Sequence, residues 1–460
     1  MKSPLVTVYI TNYNYERYIQ KAIESVLAQT MQDFELFIID DGSTDNSKGI
    51  IESYRQQEKI SIIYQQNKGL NITNNVAMRA ANGKYLMRLD ADDFLEEDAL
   101  EKMSQSLEND EELGLVFPDY YYVDVNGNRT GIEQRHNFEK EVSLYDQPAH
   151  GACTMIRLEF LKELGGYNES FTCQDGYDLW IKFITHHKVS NINTPLFSYR
   201  RHGQNLTTNE DKILKTRKQI KSVFVDEHFN SPATLAIIPV RNTFIDGVNL
   251  PLFEINGKSL LERKIEACLK SKKLNHLAIS SADEAILSYA VKKFSDNDKI
   301  SIIERPKAFA EKNQSLNDTI EQSLNFEQEH GREYEAIMTI SIEFPFLEAE
   351  TIEEAIDTLT LFKSDAVLSV RPDNRLYYQH TGKSLKPILD QEKFTKLERE
   401  ALYKGVGGLV LSAVKNFKKH GKMTSGRISH IVVDQKTAFG IFSKFDFELF
   451  QSLIEHDDFQ

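Results

Sequence analysis

At 460 residues the chain is long enough that two domains are expected rather than one, and its net charge of −14, with no basic stripe, excludes a nucleic-acid binder. Three scattered cysteines (Cys153, Cys173, Cys268) show neither metal-ligand spacing nor a disulfide framework, which suits a reducing compartment. With no signal-peptide pattern at the start and no apolar run long enough to span a bilayer, a cytoplasmic enzyme is expected, with peripheral contact at the inner face of the membrane left open.

Residues 5–10 are rich in β-branched side chains and predict a buried strand, followed by the polar turn Thr11, Asn12, Tyr13, Asn14. Residues 17–29 predict a helix with Ile19, Ala22, Ile23, Val26 and Leu27 on one face. Residues 34–39 predict a second strand, ending in Asp40, Asp41, Gly42, Ser43, Thr44 and Asp45, which also suit the cap of a following helix. A third strand is predicted over residues 60–64, a turn over 67–69 and a helix over 72–81. Residues 85–89 predict the central strand, which runs into Asp90, Ala91, Asp92 and Asp93. Strands alternating with helices imply a doubly wound, mainly parallel sheet, whose ligands bind beyond the carboxyl ends of the strands. Three polar turns therefore fall on one rim. Asp90 and Asp92, two apart at a strand end, have the spacing to converge on one hard cation, Mn²⁺ or Mg²⁺, with water and substrate phosphate as the other ligands. A solvated acidic turn is the plainer alternative.

Beyond a charged helix at residues 211–225 and a linker at 228–232, the pattern restarts. Strands are predicted at 235–240, 276–280, 300–303, 336–340 and 366–370, with helices at 260–269, 282–294, 316–326 and 352–361. The expected organisation is thus two α/β domains, residues 1–230 and 231–460.

Several motifs in the first half occur together in the right order: Val8 to Asn14, Ser25 to Thr30, Phe34 to Asp45, Leu89 to Asp93, Gly165-Gly166-Tyr167-Asn168-Glu169, and Gln174-Asp175-Gly176-Tyr177-Asp178-Leu179-Trp180. On these, residues 5–205 resemble a family 2 glycosyltransferase of the GT-A fold. The resemblance implies an inverting transferase with a nucleotide-diphosphate sugar donor, UDP-sugars being the family's commonest, a divalent metal, and a glycan or lipid-linked glycan acceptor in surface glycan synthesis. It leaves homo-oligomers open. By position, Thr11, Tyr13, Asp40 and Asp41 would hold the nucleotide base and ribose, and Asp90 and Asp92 would sit at the ribose and the metal–diphosphate. Asp175 matches the catalytic base, which would take the acceptor proton as its oxygen attacks the anomeric carbon. His202 would be a third metal ligand, Arg200 or Arg201 would offset diphosphate charge, and His150 and Gly151 would line the acceptor side. Structural alternatives stand beside these roles: a packed aromatic for Tyr13, helix caps for Asp40 or Asp41, an N-cap for Asp175 (with Asp178 the better cap), and a solvated loop histidine for His202. Gln174 departs from the Glu found in many members.

The second half resembles the cytidylyltransferases that activate acidic sugars such as sialic acids and Kdo, through Ile237 to Arg241, Gly257 to Glu262, Ile279 to Glu284 and Asp365 to Val370. Its departures fall where that chemistry belongs. The phosphate loop becomes Asn242-Thr243-Phe244-Ile245-Asp246-Gly247 without a lysine, and the Gln-Pro-Thr-Ser-Pro segment becomes Ser341-Ile342-Glu343-Phe344-Pro345. Gly440 and Phe442 align with the two metal-binding aspartates, Asp434 and Asp446 being the nearest acids. A non-catalytic second domain is expected. The alternatives are a bifunctional enzyme that also makes a CMP-sugar, and a scaffold with both halves inactive.

Overall fold

The computed structural model describes residues 3–134, 151–202, 210–311, 314–373, 377–388 and 402–456. It divides into two compact units, Met1–Ile220 and Lys221–Gln460. Each is α/β and built on a mainly parallel sheet, as the alternation of elements implies.

The first unit runs β1 (Val6–Asn12), α1 (Ile19–Leu27), β2 (Phe34–Asp40), α2 (Ser47–Glu52), β3 (Ile60–Tyr64), α3 (Leu70–Ala80) and β4 (Tyr85–Asp90). Then follow β5 (Phe94–Leu95), α4 (Ala99–Glu108), β6 (Leu113–Val123), β7 (Arg129–Glu133), β8 (Met155–Arg157), α5 (Leu158–Glu163), α6 (Asp175–His186), β9 (Lys188–Arg200) and α7 (Glu210–His228). The sheet order is β3-β2-β1-β4-β8-β6-β9-β5, with β7 paired to β6. β3, β2, β1 and β4 are parallel neighbours, and their register sets Asn12 beside Asp40 and Thr11 beside Asp90. The three polar turns expected on one rim are therefore on adjacent strand ends.

One face of the sheet carries Tyr9, Phe37, Ile39, Leu86 and Phe117, packed on Trp180 and Phe183 of α6 and Ala77 of α3. Ile19, Ala22, Ile23 and Val26 of α1 are buried, matching the predicted stripe. The long β6 is absent from the sequence expectations because Pro118 and Asp119 interrupt its apolar run. In the sheet the β6–β9 register shifts at those two residues, which accommodates a proline that cannot donate to the ladder.

The second unit begins with β10 (Thr234–Pro239) and two hairpins, β11 (Phe244–Ile245) with β12 (Val248–Asn249) and β13 (Glu254–Ile255) with β14 (Lys258–Ser259). It continues with α8 (Leu260–Lys270), β15 (His276–Ser281), α9 (Glu284–Phe294), β16 (Ile300–Glu304), α10 (Asn317–Glu329), β17 (Ala336–Ile340), α11 (Ala349–Phe362), β18 (Ala366–Asp373), β19 (Tyr378–His380) and β20 (Leu385–Pro387). β21 (Leu402–Ala413), α12 (Val414–His420), β22 (Ile428–Val432) and α13 (Lys444–His456) complete it, on a sheet ordered β16-β15-β10-β17-β21-β18-β22. α7 extends through His228, so the predicted linker starts inside that helix, and the compact units part at residues 220 and 221. Among the described residues no helix is long and apolar enough to cross a membrane. All three cysteines are free and buried.

Candidate active site

β4 alternates its side chains, so Leu86, Arg88 and Asp90 share a face. Arg88 is only 4% exposed although charged. A buried guanidinium is costly unless paired, and Arg88 has two carboxylates. Its Nε lies 2.9 Å from Asp90 Oδ1, and its Nη1 donates to Asp175 Oδ2. Thr11 Oγ1 donates to the same Asp90 oxygen at 3.3 Å. Burial pushes the Asp90 carboxyl up, and the Arg88 cation opposes that shift.

Asp175 is the first residue of α6, reached through Gln174 in the left-handed region (φ 62°). Gln174 Oε1 accepts from Arg217 Nε at 2.7 Å, so the departure from Glu keeps a hydrogen-bonded side chain beside the base position. Neither Asp175 nor Asp178 caps α6: no side chain does, and Asp178 pairs with Lys182 at 2.8 Å. The loop leading to Asp175 is held by an unusual polar face of α3, where Asn71, Thr73, Asn74 and Asn75 are buried. Asn71 Nδ2 donates to the carbonyls of Asn168 (2.8 Å) and Phe171 (2.9 Å), and Asn75 Nδ2 to that of Tyr167 (2.8 Å). Tyr167 N donates back to Asn75 Oδ1 at 3.0 Å. Asn74 Nδ2 reaches Asp175 at 3.4 Å, while its Oδ1 accepts from Tyr9 Oη at 3.1 Å. Gly151 lies directly over the ion pair: a Cβ there would stand 2.6 Å from Arg88 Nη2 and 3.1 Å from Asp175 Oδ2. His150 lies outside the described residues.

Past the strand end, His202 Nε2 and Asp92 Oδ2 are 2.8 Å apart, and this hydrogen bond raises the imidazole pKa. His202 stacks on Tyr18 and meets Tyr15 edge-on. With Asn14, Arg17 and Thr44 these residues line a cleft of about 860 Å³. Asp93 Oδ1 accepts from Arg200 N at 2.9 Å. Burial and the charges of Asp92 and Asp90 push the Asp93 carboxyl well up.

Two ligands at right angles on a cation with bonds of about 2.0–2.1 Å stand about 3 Å apart. The 2.8 Å separation of Asp92 Oδ2 and His202 Nε2 suits that arrangement. Among the described residues no three His, Cys, Asp or Glu groups converge on one point, so a cation here would take its remaining ligands from substrate and water.

Other predicted residues sit differently. Asp40 accepts from Asn12 Nδ2 (2.8 Å) and Ser43 N (2.9 Å). Asp41 clasps the 65–69 turn through Gln65 Nε2 (2.6 Å), Lys68 N (2.9 Å) and Gly69 N (3.0 Å). Tyr13 is 46% exposed on the rim, not packed. Arg200 is buried and braces the acidic turn, its Nε donating to Asp92 O (2.8 Å) and its Nη1 to Asp124 O (3.0 Å). Arg88, Asn74 and Tyr18 were not singled out by the sequence reading. The two-residue spacing of Arg88 and Asp90 was the available signal for Arg88.

In the second unit the would-be phosphate loop is a tight hairpin, with Asp246 (φ 50°) and Gly247 (φ 79°) both left-handed between β11 and β12. Phe442, aligned with one of the two metal acids, meets Phe344 edge to face with centroids 5.5 Å apart. Asp434 accepts from Thr437 N (2.7 Å) and Asp446 from Ser443 Oγ (2.8 Å), each closing its own turn.

Residues 7–165 match the description of Glycosyl transferase family 2, and residues 248–403 that of Cytidylyltransferase. Chondroitin synthase of Escherichia coli is 32% identical over 213 residues, 46% of this chain and 31% of that protein. The chain thus spans about a third of that relative. An uncharacterized glycosyltransferase of Methanocaldococcus jannaschii is 34% identical over 210 residues, 44% of this chain and 72% of the relative. The S. aureus TarS 1-349 structure in complex with UDP aligns at a TM-score of 0.41 and 19% identity, covering 49% of this chain and 67% of that one.

Proposed function

This chain belongs to glycosyl transferase family 2, and from that premise we propose that its first unit moves a sugar, with inversion, from a nucleotide-diphosphate donor to a hydroxyl of a glycan or lipid-linked glycan acceptor in surface glycan synthesis. The observation that carries this reading is the pairing of Asp175 and Asp90 with one buried guanidinium, which puts an acceptor-side carboxylate next to a donor-side one. Asp175 takes the proton of the acceptor hydroxyl as the oxygen attacks the anomeric carbon, a task that suits a carboxylate fixed in place. Attack opposite the leaving diphosphate inverts that centre. Thr11, Tyr13 and Asp40 face the nucleoside from the rim, with Asp41 shaping the neighbouring turn. Asp92 and His202, with Asp90 beside them, would hold Mn²⁺ or Mg²⁺, which when bound neutralises charge on the departing nucleoside diphosphate. Arg200 keeps Asp92 in place through the backbone. UDP-sugars are the donor class to try first.

The second unit is read as non-catalytic. The hairpin in place of a phosphate cradle, and Gly440 and Phe442 in place of two carboxylates, support this over a bifunctional enzyme.

The test uses the full chain, Mn²⁺ and a panel of nucleotide sugars, scored for donor binding and for transfer or hydrolysis. Asp175→Asn is expected to retain donor binding and lose on the order of 10²–10⁴-fold in transfer rate. Asp92→Ala is expected to lose metal-dependent binding while keeping the fold. Transfer by Asp175→Asn at the parent rate would place the base elsewhere.

A further inference from the structure

Arg88 is a buried cation that a transfer mechanism built on Asp175 and Asp92 leaves without a role. It sits within a strand whose neighbours Tyr85, Leu86, Met87 and Leu89 are all buried. Leucine or phenylalanine would satisfy the sheet at lower cost, because removing a guanidinium from water is repaid only by close carboxylates. Both are supplied from different elements: Asp90 from its own strand end, Asp175 from the start of α6. The Cα of Asp175 is set by the asparagine face of α3 and the left-handed Gln174, yet among the described residues its carboxylate has only Asn74 Nδ2, at 3.4 Å, beside the guanidinium. Gly151 closes over the pair with no room for a methyl group, so the guanidinium has little freedom to move.

Resting on the reading of Asp175 as base, we propose that Arg88 is a positioning residue of the transfer reaction, one guanidinium fixing the proton-accepting carboxylate relative to the carboxylate that faces the donor. The consequence is kinetic. The acceptor oxygen must meet both the anomeric carbon and the base within a near-attack distance, and a misplacement of about 1 Å costs on the order of 10²-fold. Arg88 touches neither proton nor sugar. Its effect passes through Asp175.

The test is a double-mutant cycle on the full chain, with folding followed by thermal melting. Arg88→Lys and Arg88→Gln are made alone and on the Asp175→Asn background, and kcat and donor KM are measured for each. Expected is a kcat loss of about 10²-fold in Arg88→Gln, a smaller loss in Arg88→Lys, and a donor KM within about threefold of the parent. On the Asp175→Asn background either change should cost less than about twofold, because the group being positioned has already lost its function. Equal penalties on both backgrounds, or a loss confined to KM, overturn the proposal. If Arg88→Gln does not fold, the cycle with Arg88→Lys alone decides in the same way. A parent enzyme that acts on no nucleotide sugar refutes the assigned function, whereas an active parent with multiplicative losses refutes only the role of Arg88.

Discussion

Replacing Gly151 by alanine adds one carbon at the most crowded point of the site. That carbon would lie 2.6 Å from Arg88 Nη2 and 3.1 Å from Asp175 Oδ2, where ordinary contact begins near 3.4 Å. The guanidinium would have to yield by about 0.8 Å, and it is tied on its other side to Asp90. Displacement of this size predicts a kcat loss approaching 10²-fold, equivalent to about 3 kcal/mol of transition-state stabilisation. The stability loss should be smaller, about 1–3 kcal/mol for overpacking in a folded interior. Steady-state transfer assays and thermal melts on the same preparations separate the two, and donor affinity measured by titration should stay near the parent value. Gly151→Ala turning over at the parent rate would refute the placement of this residue over the ion pair. So would a kcat loss matched by an equal loss of donor binding.

The full chain incubated with CTP, Mg²⁺ and a panel of 2-keto acid sugars is expected to release no pyrophosphate; clear turnover would make the second unit an active cytidylyltransferase. Burial pushes the Lys264 amine down to about 8, and its Nζ donates to the Phe344 carbonyl. The unfolded chain holds that proton up to about pH 10.4, so Lys264 by itself contributes a rise in stability with pH between 8 and about 10 of up to about 3 kcal/mol, opposed by the neighbouring Cys268 thiol, which burial pushes up to about 12. In denaturant melts across that window the parent's stability should rise with pH relative to that of Lys264→Met, and equal pH dependence in both would refute the assignment.

The order of strands and helices was legible up to β4 and from β10 to β18, where apolar runs and turn residues alternate cleanly, but not from β5 to β9 or beyond β18. Asp90, Asp92 and Asp175 were legible as motif residues, each at the end of a strand or the start of a helix. What the motifs did not convey was how those carboxylates are held. Arg88 lies in a stretch that reads as apolar strand, and its pairing with Asp90 and with Asp175, 87 positions further on, explains a charge there. The asparagines of α3 looked like ordinary polar positions, although they face inward and tie down the loop before α6. Asp41 was grouped with Asp40 by adjacency, yet neighbouring residues at a strand end point to opposite sides, and Asp41 turns toward the 65–69 loop. Arg200 was read as a diphosphate contact from its charge, but its guanidinium bonds to backbone carbonyls behind the acidic turn. Long-range pairings of this kind leave no periodic trace in one chain.

The phenyl rings in the second unit also limit what two nearby glycines can become. A Cβ on Gly440 would stand 2.4 Å from Phe442 Cε2 and 3.0 Å from Phe344 Cε1, and one on Gly408 would stand 2.4 Å from Phe344 Cδ2. A side chain at position 440 would require both the Phe442 and the Phe344 rings to move. Glycine at 408 and 440 and phenylalanine at 344 and 442 are therefore coupled: a larger residue at either glycine calls for movement or trimming of a ring.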